Sequence, residues 1–388
     1  MARPAAAIPT STTGRTVYEA PRDGPTTQSG YAREIFDQLD LDLLIKVAQL
    51  SILSPAFSMW LPVTLMGQGY RPHTLPFKLA VAYFAGTFLL WLASCSSVAW
   101  RNRLWQRGVK GMLGGHRVDW SEQIVVVTGG SSGLGRVLVE TLAVRHVTVV
   151  VLDTLPYVSD WDDVYSYEVD VSDRAAVFAV AERIRADVGE PTILINNAGI
   201  VPGKALLDLS EAEVRRTFDV NTLAHYWTLQ AFLPAIVKRN SGHIVTVASV
   251  LGHIGIAQLS DYTASKAALI LLHESLQREL RYRYDAPNVR TTLVCPARLT
   301  TPLFGSMADI PLLARFMAPT LQPHTVAKAV IAALDLEESR EIVLPAAMNL
   351  FWILRGLPSW ARDAAFALID ADRLMLSFKS TSSVKKTD

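Results

Sequence analysis

Apolar runs rich in β-branched residues recur through the middle of the chain, at 124–127, 147–152, 193–195, 244–247, 291–294 and 342–344. Longer stretches of helical periodicity separate them. Such alternation predicts an α/β domain over residues 119–345, a doubly wound parallel sheet covered by helices on both faces. Ser210 and Glu213 have the spacing of a capping box for one of those helices. Upstream, "LAVAYFAGTFLLWLASCSSVAW" (79–100) runs for 22 residues without a charge. As a helix it extends roughly 33 Å, enough to cross a bilayer core, and the competing reading is a buried core helix. The preceding apolar stretch, 41–66, is interrupted by Lys46, Gln49, Pro55 and Pro62. It reads as an interfacial or re-entrant helix or as a second span. Residues 41–118 thus form an anchor and its flank, behind a disordered tail over 1–40 whose start is rich in Pro, Thr, Ser, Gly and Ala. After 345 the pattern changes again. "NLFWILRGLP" is strongly apolar, and Trp360, Ala364, Leu368, Ala371, Met375 and Phe378 then recur at three- or four-residue spacing. The segment 346–388 therefore predicts an amphipathic helix, packed on the domain, on a partner subunit or on a membrane surface, with a polar end.

Charge alters this picture in one place. Over all 388 residues Lys+Arg (37) nearly balances Asp+Glu (36), which predicts no field for nucleic acid. Yet Arg101, Arg103, Arg107, Lys110 and Arg117 follow the apolar helix with no acidic residue before Asp119. The positive-inside rule places that end, and the domain after it, in the cytosol. A hydrophobic content of 50% and a mean hydropathy of +0.24 also point to lipid contact. The two cysteines, Cys95 and Cys295, give no disulfide framework, and the eight histidines show no metal-ligand spacing. No metal is expected.

"QIVVVTGGSSGLG" (123–135) is a strand, a glycine turn and a helix start. Gly129, Gly133 and Gly135 are spaced Gly-x-x-x-Gly-x-Gly, which differs from the usual dinucleotide fingerprint but uses the same physics. Close backbone approach, with Ser131, Ser132 and Leu134 around the turn, aims free N–H groups at a pyrophosphate. The next strand ends at Asp153, 24 residues after Gly129. A carboxylate there accepts hydrogen bonds from ribose hydroxyls and repels a 2′-phosphate, and Ser132 brings no positive charge. NAD is favoured over NADP. Asp170 and Val171 follow a third strand, either beside the adenine or as a helix cap. Asn196 and Asn197 of "INNAG" follow the fourth, where they satisfy backbone groups at the sheet's carboxyl edge.

Tyr262 and Lys266 of "DYTASKAAL" lie four residues apart and share a helix face. With "TGGSSGLG", "NNAG", Asn221, and Ser249 thirteen residues before Tyr262, they resemble the short-chain dehydrogenase/reductase family over residues 122–345. The resemblance implies a Rossmann fold, a nicotinamide cofactor and Tyr262 as acid/base. Lys266 would lower the Tyr262 pKa and bind the nicotinamide ribose, and Ser249 would polarise the substrate oxygen. Asn221 would hold a helix distortion and a relay water. It also implies contacts from Leu299 and Thr301 to the carboxamide. The chain has Pro296-Ala297 where the family usually has Pro-Gly, which puts fine positioning of the nicotinamide in question.

The segment after Thr301, "PLFGSMADIPLLARFMAPTLQ", is apolar and sits where the family carries a substrate lid. Lid, anchor and tail together resemble the membrane-bound retinol and 17β-hydroxysteroid dehydrogenase branch. That implies a lipophilic alcohol or carbonyl substrate, an endoplasmic reticulum or lipid-droplet membrane, and a homodimer through faces around 215–235 and 262–283. Two other readings stand beside it: an NADPH-dependent reductase of a lipid ketone, and a non-catalytic membrane scaffold.

Overall fold

Residues 40–102, 117–304, 312–349 and 355–369 are described by the computed structural model of the chain. Residues 1–39, Arg103, Arg107 and Lys110 of the basic flank, and Ala371, Met375 and Phe378 lie outside the described residues.

Seven parallel strands form one sheet in the order β3-β2-β1-β4-β5-β6-β7. They are β1 (Ile124–Thr128), β2 (Thr148–Asp153), β3 (Val164–Glu168), β4 (Ile193–Asn196), β5 (His243–Val247), β6 (Arg290–Pro296) and β7 (Arg340–Leu344). The chain moves outward from β1 to β3, then returns to β1's other side with β4. That reversal opens a crevice at the carboxyl ends of β1 and β4. Side chains alternate between two cores. Val125, Val127, Val149 and Val151 pack under α5 (Gly133–Ala143) and α11 (Pro323–Asp335). Val126, Val150, Leu194 and Ile244 pack under α6 (Arg174–Asp187), α8 (Ala224–Arg239) and α9 (Ser260–Tyr282). The short α7 (Glu211–Phe218) begins with the predicted capping box, Ser210 and Glu213 each bonding the other's backbone.

The N-terminal region forms α1 (Leu41–Leu50), α2 (Pro55–Ser58), α3 (Trp60–Gly67) and α4 (Leu75–Asn102). The first segment bends by 51° between α1 and the α2–α3 pair, where Pro55 interrupts the ladder. The helix α4 has 28 residues, is long and apolar enough to cross a membrane, and only 11% of its most apolar stretch is buried. Leu89, Leu90 and Trp91 all face outward, so α4 is not a core helix of the sheet domain.

Two polar clasps tie these helices to β7. Buried Asp42 of α1 accepts a hydrogen bond from Ala346 N–H, just beyond the strand's carboxyl end. At the other end, the Asn102 amide oxygen accepts from Ser339 N–H at 2.6 Å. Both Asn102 and Ser339 are buried. Replacing Asn102 by Ala strands a buried N–H, so denaturant unfolding is expected to show a loss of about 1–3 kcal/mol. Asn102→Asp, which keeps the acceptor, should lose less. Equal stability of the Ala variant and wild type would dismiss the clasp.

Candidate active site

The first strand delivers Thr128 to the crevice, and its hydroxyl accepts from Asn197 N–H (2.9 Å) and Ala198 N–H (3.0 Å). Asn197 returns two bonds from its amide to the carbonyls of Thr128 (3.0 Å) and Gly129 (3.1 Å). The two strand ends are thereby latched side by side. Gly129 has φ +65°, and a methyl there would fall 2.9 Å from the Ala198 Cα. A methyl on Gly135 would meet the Gly129 carbonyl oxygen at 2.0 Å. These two positions admit only glycine, which lets α5 start directly on the turn with its first N–H groups facing the crevice.

A cavity of about 340 Å³ occupies the crevice. Gly129, Ser132, Gly133, Leu134 and Asn197 line its middle, and Asp153, Asp170 and Val171 one end. Ser249, Tyr262, Lys266, Leu299 and Thr301 line the other. Ser131, Gly135 and Asn221 stand behind the wall rather than on it. Asp153 accepts from the N–H of Ser131 (2.9 Å) and of Leu155 (3.1 Å). Asp170 accepts from the Ser172 hydroxyl at 2.7 Å and pairs with Arg216 at 2.9 Å. Burial pushes its pKa up, but the Ser172 and Arg216 hydrogen bonds carry it below the ordinary carboxylate value. The cap of α6 is Asp173, not Asp170 or Ser172. A dinucleotide fits this shape, with acids at one end, free N–H groups in the middle and a phenol–ammonium pair at the other end.

At that far end the helix ladder loosens to a π turn over Asp219–Leu223. The wider turn places buried Asn221 against both Ile200, whose N–H it accepts at 2.8 Å, and the Ser265 hydroxyl, to which it donates at 3.1 Å. Ser265 Oγ in turn donates to the Tyr262 carbonyl at 2.7 Å. The expected distortion at Asn221 is present, and Ser265 is the link that the sequence reading left out, although it stands inside "YTASK". Thr128 and Arg216 were also missed, since one is the last residue of an apolar strand and the other one of many helix arginines.

Tyr262 is 3% exposed, with Phe304 edge-on at 6.1 Å. Lys266 Nζ donates to the Val247 carbonyl at 3.0 Å and lies 5.8 Å from the Tyr262 ring centroid. The expectation that Lys266 alone brings the phenol down needs correction. Burial pushes Tyr262 up to about 12, against a lowering hydrogen bond from Ser249, and burial brings Lys266 down to about 8. Both groups lose water, and the ammonium is turned toward a carbonyl rather than the phenol oxygen. The backbone at Ala297 keeps φ negative, as its methyl requires, and its N–H donates to Leu344 O at 2.7 Å. Leu299 pairs with Leu321, which clasps the base of the segment bearing Leu303 and Phe304.

A family model described as short chain dehydrogenase matches residues 123–309. Retinol dehydrogenase 10-B of Danio rerio is 34% identical over 332 residues, 78% of this chain and 95% of that protein. Short-chain dehydrogenase/reductase family 16C member 6 of Bos taurus is 36% identical over 252 residues, 62% of this chain and 78% of its own. Among solved structures, ligand-free aldohexose dehydrogenase of Thermoplasma acidophilum superposes with a TM-score of 0.51 at 27% identity. It covers 59% of this chain and 94% of that one.

Proposed function

Because the chain belongs to the short-chain dehydrogenase/reductase family, in its retinol dehydrogenase branch, and so is a nicotinamide-dependent oxidoreductase acting on CH–OH groups, we propose that it interconverts a lipophilic alcohol of retinoid type and its carbonyl, using NAD. The observation that carries this reading is the wall around Tyr262. Val201 and Leu259 are buried against its ring, and Leu251, Ile256, Leu303 and Phe304 pack on them. A substrate oxygen reaching Tyr262 therefore passes an apolar surface, which suits a hydrocarbon chain or ring.

In the oxidising direction a bound nicotinamide supplies the hydride acceptor. Ser249 donates a hydrogen bond to the substrate oxygen and holds it near the phenol. Tyr262 takes the hydroxyl proton as the C–H bond breaks, and Lys266, charged below about 8, stabilises the phenolate at short range. Asn221, through Ser265, fixes the start of α9 so that these groups keep their spacing. Lid residues Leu303 and Phe304 keep bulk water from the reacting oxygen.

The exposed apolar surface of α4 supports attachment to a membrane, with Arg101 at its cytosolic end. Such a site would draw substrate from the bilayer of the endoplasmic reticulum or a lipid droplet. A homodimer through α8 and α9 belongs to the same reading. The deciding experiment supplies membranes bearing the protein with NAD or NADP and panels of retinoid, steroid, long-chain and sugar alcohols. Turnover confined to the sugars would defeat the substrate reading. Net reduction of lipid ketones with NADPH alone would favour the competing reductase.

Asp153 gives the cofactor choice its own test. Its carboxylate faces the cavity beside the Ser131 N–H it accepts, so a 2′-phosphate would meet a like charge. Wild type is expected to favour NAD over NADP by at least about ten-fold in kcat/KM, and Asp153→Asn to narrow that gap about ten-fold. An unchanged ratio in the variant removes Asp153 from the selection.

A further inference from the structure

Behind Lys266, between the sheet and two helices, lies a polar seam that the steps above do not use. Lys266 and His273 are seven residues apart on α9, two turns and roughly 10 Å along one face. Opposite them α8 carries His225 and, one turn on, Thr228. The floor is the pair Asn196 and Thr246, register partners on β4 and β5. Some contacts are made. Thr228 donates to the Asn196 amide oxygen at 2.8 Å, and His273 Nδ1 meets the Thr246 hydroxyl at 3.0 Å. Yet the Asn196 amide nitrogen, both ring nitrogens of His225 and His273 Nε2 have no protein partner. These residues are 1%, 3% and 1% exposed, respectively.

Four stranded polar atoms in one seam have a physical remedy. Each left dry costs about 1–3 kcal/mol, whereas internal water with two to four polar partners satisfies it. A metal is a poor alternative, since no third ligating side chain joins the two histidines among the described residues. The seam has two ends. One is Lys266, whose charge acts on His225 along with the His273 ring. The other is a cavity of about 560 Å³ at the amino edge of the sheet, lined by His273, Gln277, Thr291, Ser339 and, from α4, Arg101.

We propose that Asn196, His225 and His273 hold a file of internal water that carries the proton released in alcohol oxidation from the Lys266 end of the active site to this lower cavity. The proposal rests on the oxidoreductase reading above. In that reaction the substrate loses a hydride to the nicotinamide and a proton from its hydroxyl to Tyr262, leaving the carbonyl. The hydride takes both electrons, so one proton remains and must reach water. The apolar lid and a lipid substrate obstruct the upper exit, and the seam supplies a lower one. A neutral imidazole passes a proton by accepting at one nitrogen while donating from the other, so neither ring has to hold the charge. His225 and His273 are positioning residues for this transfer and touch no substrate.

The test uses the full chain in phospholipid nanodiscs with all-trans-retinol and NAD, following NADH absorbance and a pH-indicator dye in one stopped-flow experiment. In wild type, proton release should keep pace with NADH formation. In His225→Leu and His273→Leu the first-turnover hydride step should change less than about two-fold. Proton release and steady-state kcat should fall about ten-fold, with a larger solvent isotope effect on kcat. His225→Gln, which keeps a donor and an acceptor, should recover most of the loss. Prompt proton release in both leucine variants overturns the file while leaving the oxidoreductase reading intact. No NADH from wild type with any alcohol defeats the reading itself. Should the leucine variants fail to fold, a wild-type crystal structure decides: ordered water touching His225 and His273 supports the file, and a dry seam overturns it.

Discussion

Tyr262→Phe is expected to bind NAD(H) within about two-fold of wild type while kcat/KM for alcohol oxidation falls by roughly a thousand-fold or more. The ring packs among Val201, Leu259 and Phe304, and phenylalanine preserves that packing. What disappears is the oxygen that accepts the substrate proton and its hydrogen bond with Ser249. The size of the loss follows from the local energetics. Burial alone leaves the phenol at about 12, so it is a poor base at neutral pH unless positive charge gathers beside it during the reaction. Lys266 is the protein's own contribution to that charge, and burial holds it near 8. Activity in the oxidising direction should therefore follow the Tyr262–Lys266 pair as a coupled unit, with apparent pKa values that belong to both. Cofactor binding is read by NADH fluorescence and turnover by NADH formation. Comparable turnover by the two proteins would refute Tyr262 as the acid/base.

Much of this site was legible because its parts are local. A glycine turn, "NNAG" and "YTASK" are each a few residues long, and their spacing along a β-α repeat brings them to one edge of the sheet. Six strands announced themselves as apolar runs for a related reason, since strands buried on both faces need apolar residues at every position. The strand β3 did not. It lies at the sheet edge, and Tyr165, Ser166 and Glu168 are exposed, so "VYSYE" reads as a loop. Tertiary polar contacts were equally hidden. Nothing near Asn102 predicts a bond to Ser339, 237 positions away. Nor does anything in the sequence tell a cap at Asp173 from one at Asp170. The histidines were the least legible. Four-residue windows around His225, His243 and His273 look like ordinary helix or strand, and only the packing of α8 and α9 on β5 shows all three rings buried.

Those three rings predict a steep acid limit to stability. Burial lowers each to about 3, helped at His225 by Lys266 and His273, at His243 by Arg290 and His273, and at His273 by Arg101. The unfolded chain binds protons at these histidines near the ordinary value of about 6.5. Above that pH both states are neutral there and the rings add no pH dependence. As pH falls below it, the unfolded state takes up protons that the folded state refuses until about 3, so stability is lost across that window. Each fully mismatched ring contributes roughly 1.4 kcal/mol per pH unit, and three contribute roughly 4. Against a domain stability of about 5–15 kcal/mol, unfolding is expected by about pH 5. Equilibrium denaturant curves in detergent at pH 7.5, 6.5 and 5.5 read the slope directly. His243→Gln, which keeps a partner for the Thr292 hydroxyl now bonded at 2.8 Å, should reduce that slope by about a third without touching the active site. A slope below about 1.4 kcal/mol per unit would mean that the rings accept protons in place, and that water reaches the sheet–helix interior far more freely than its packing implies.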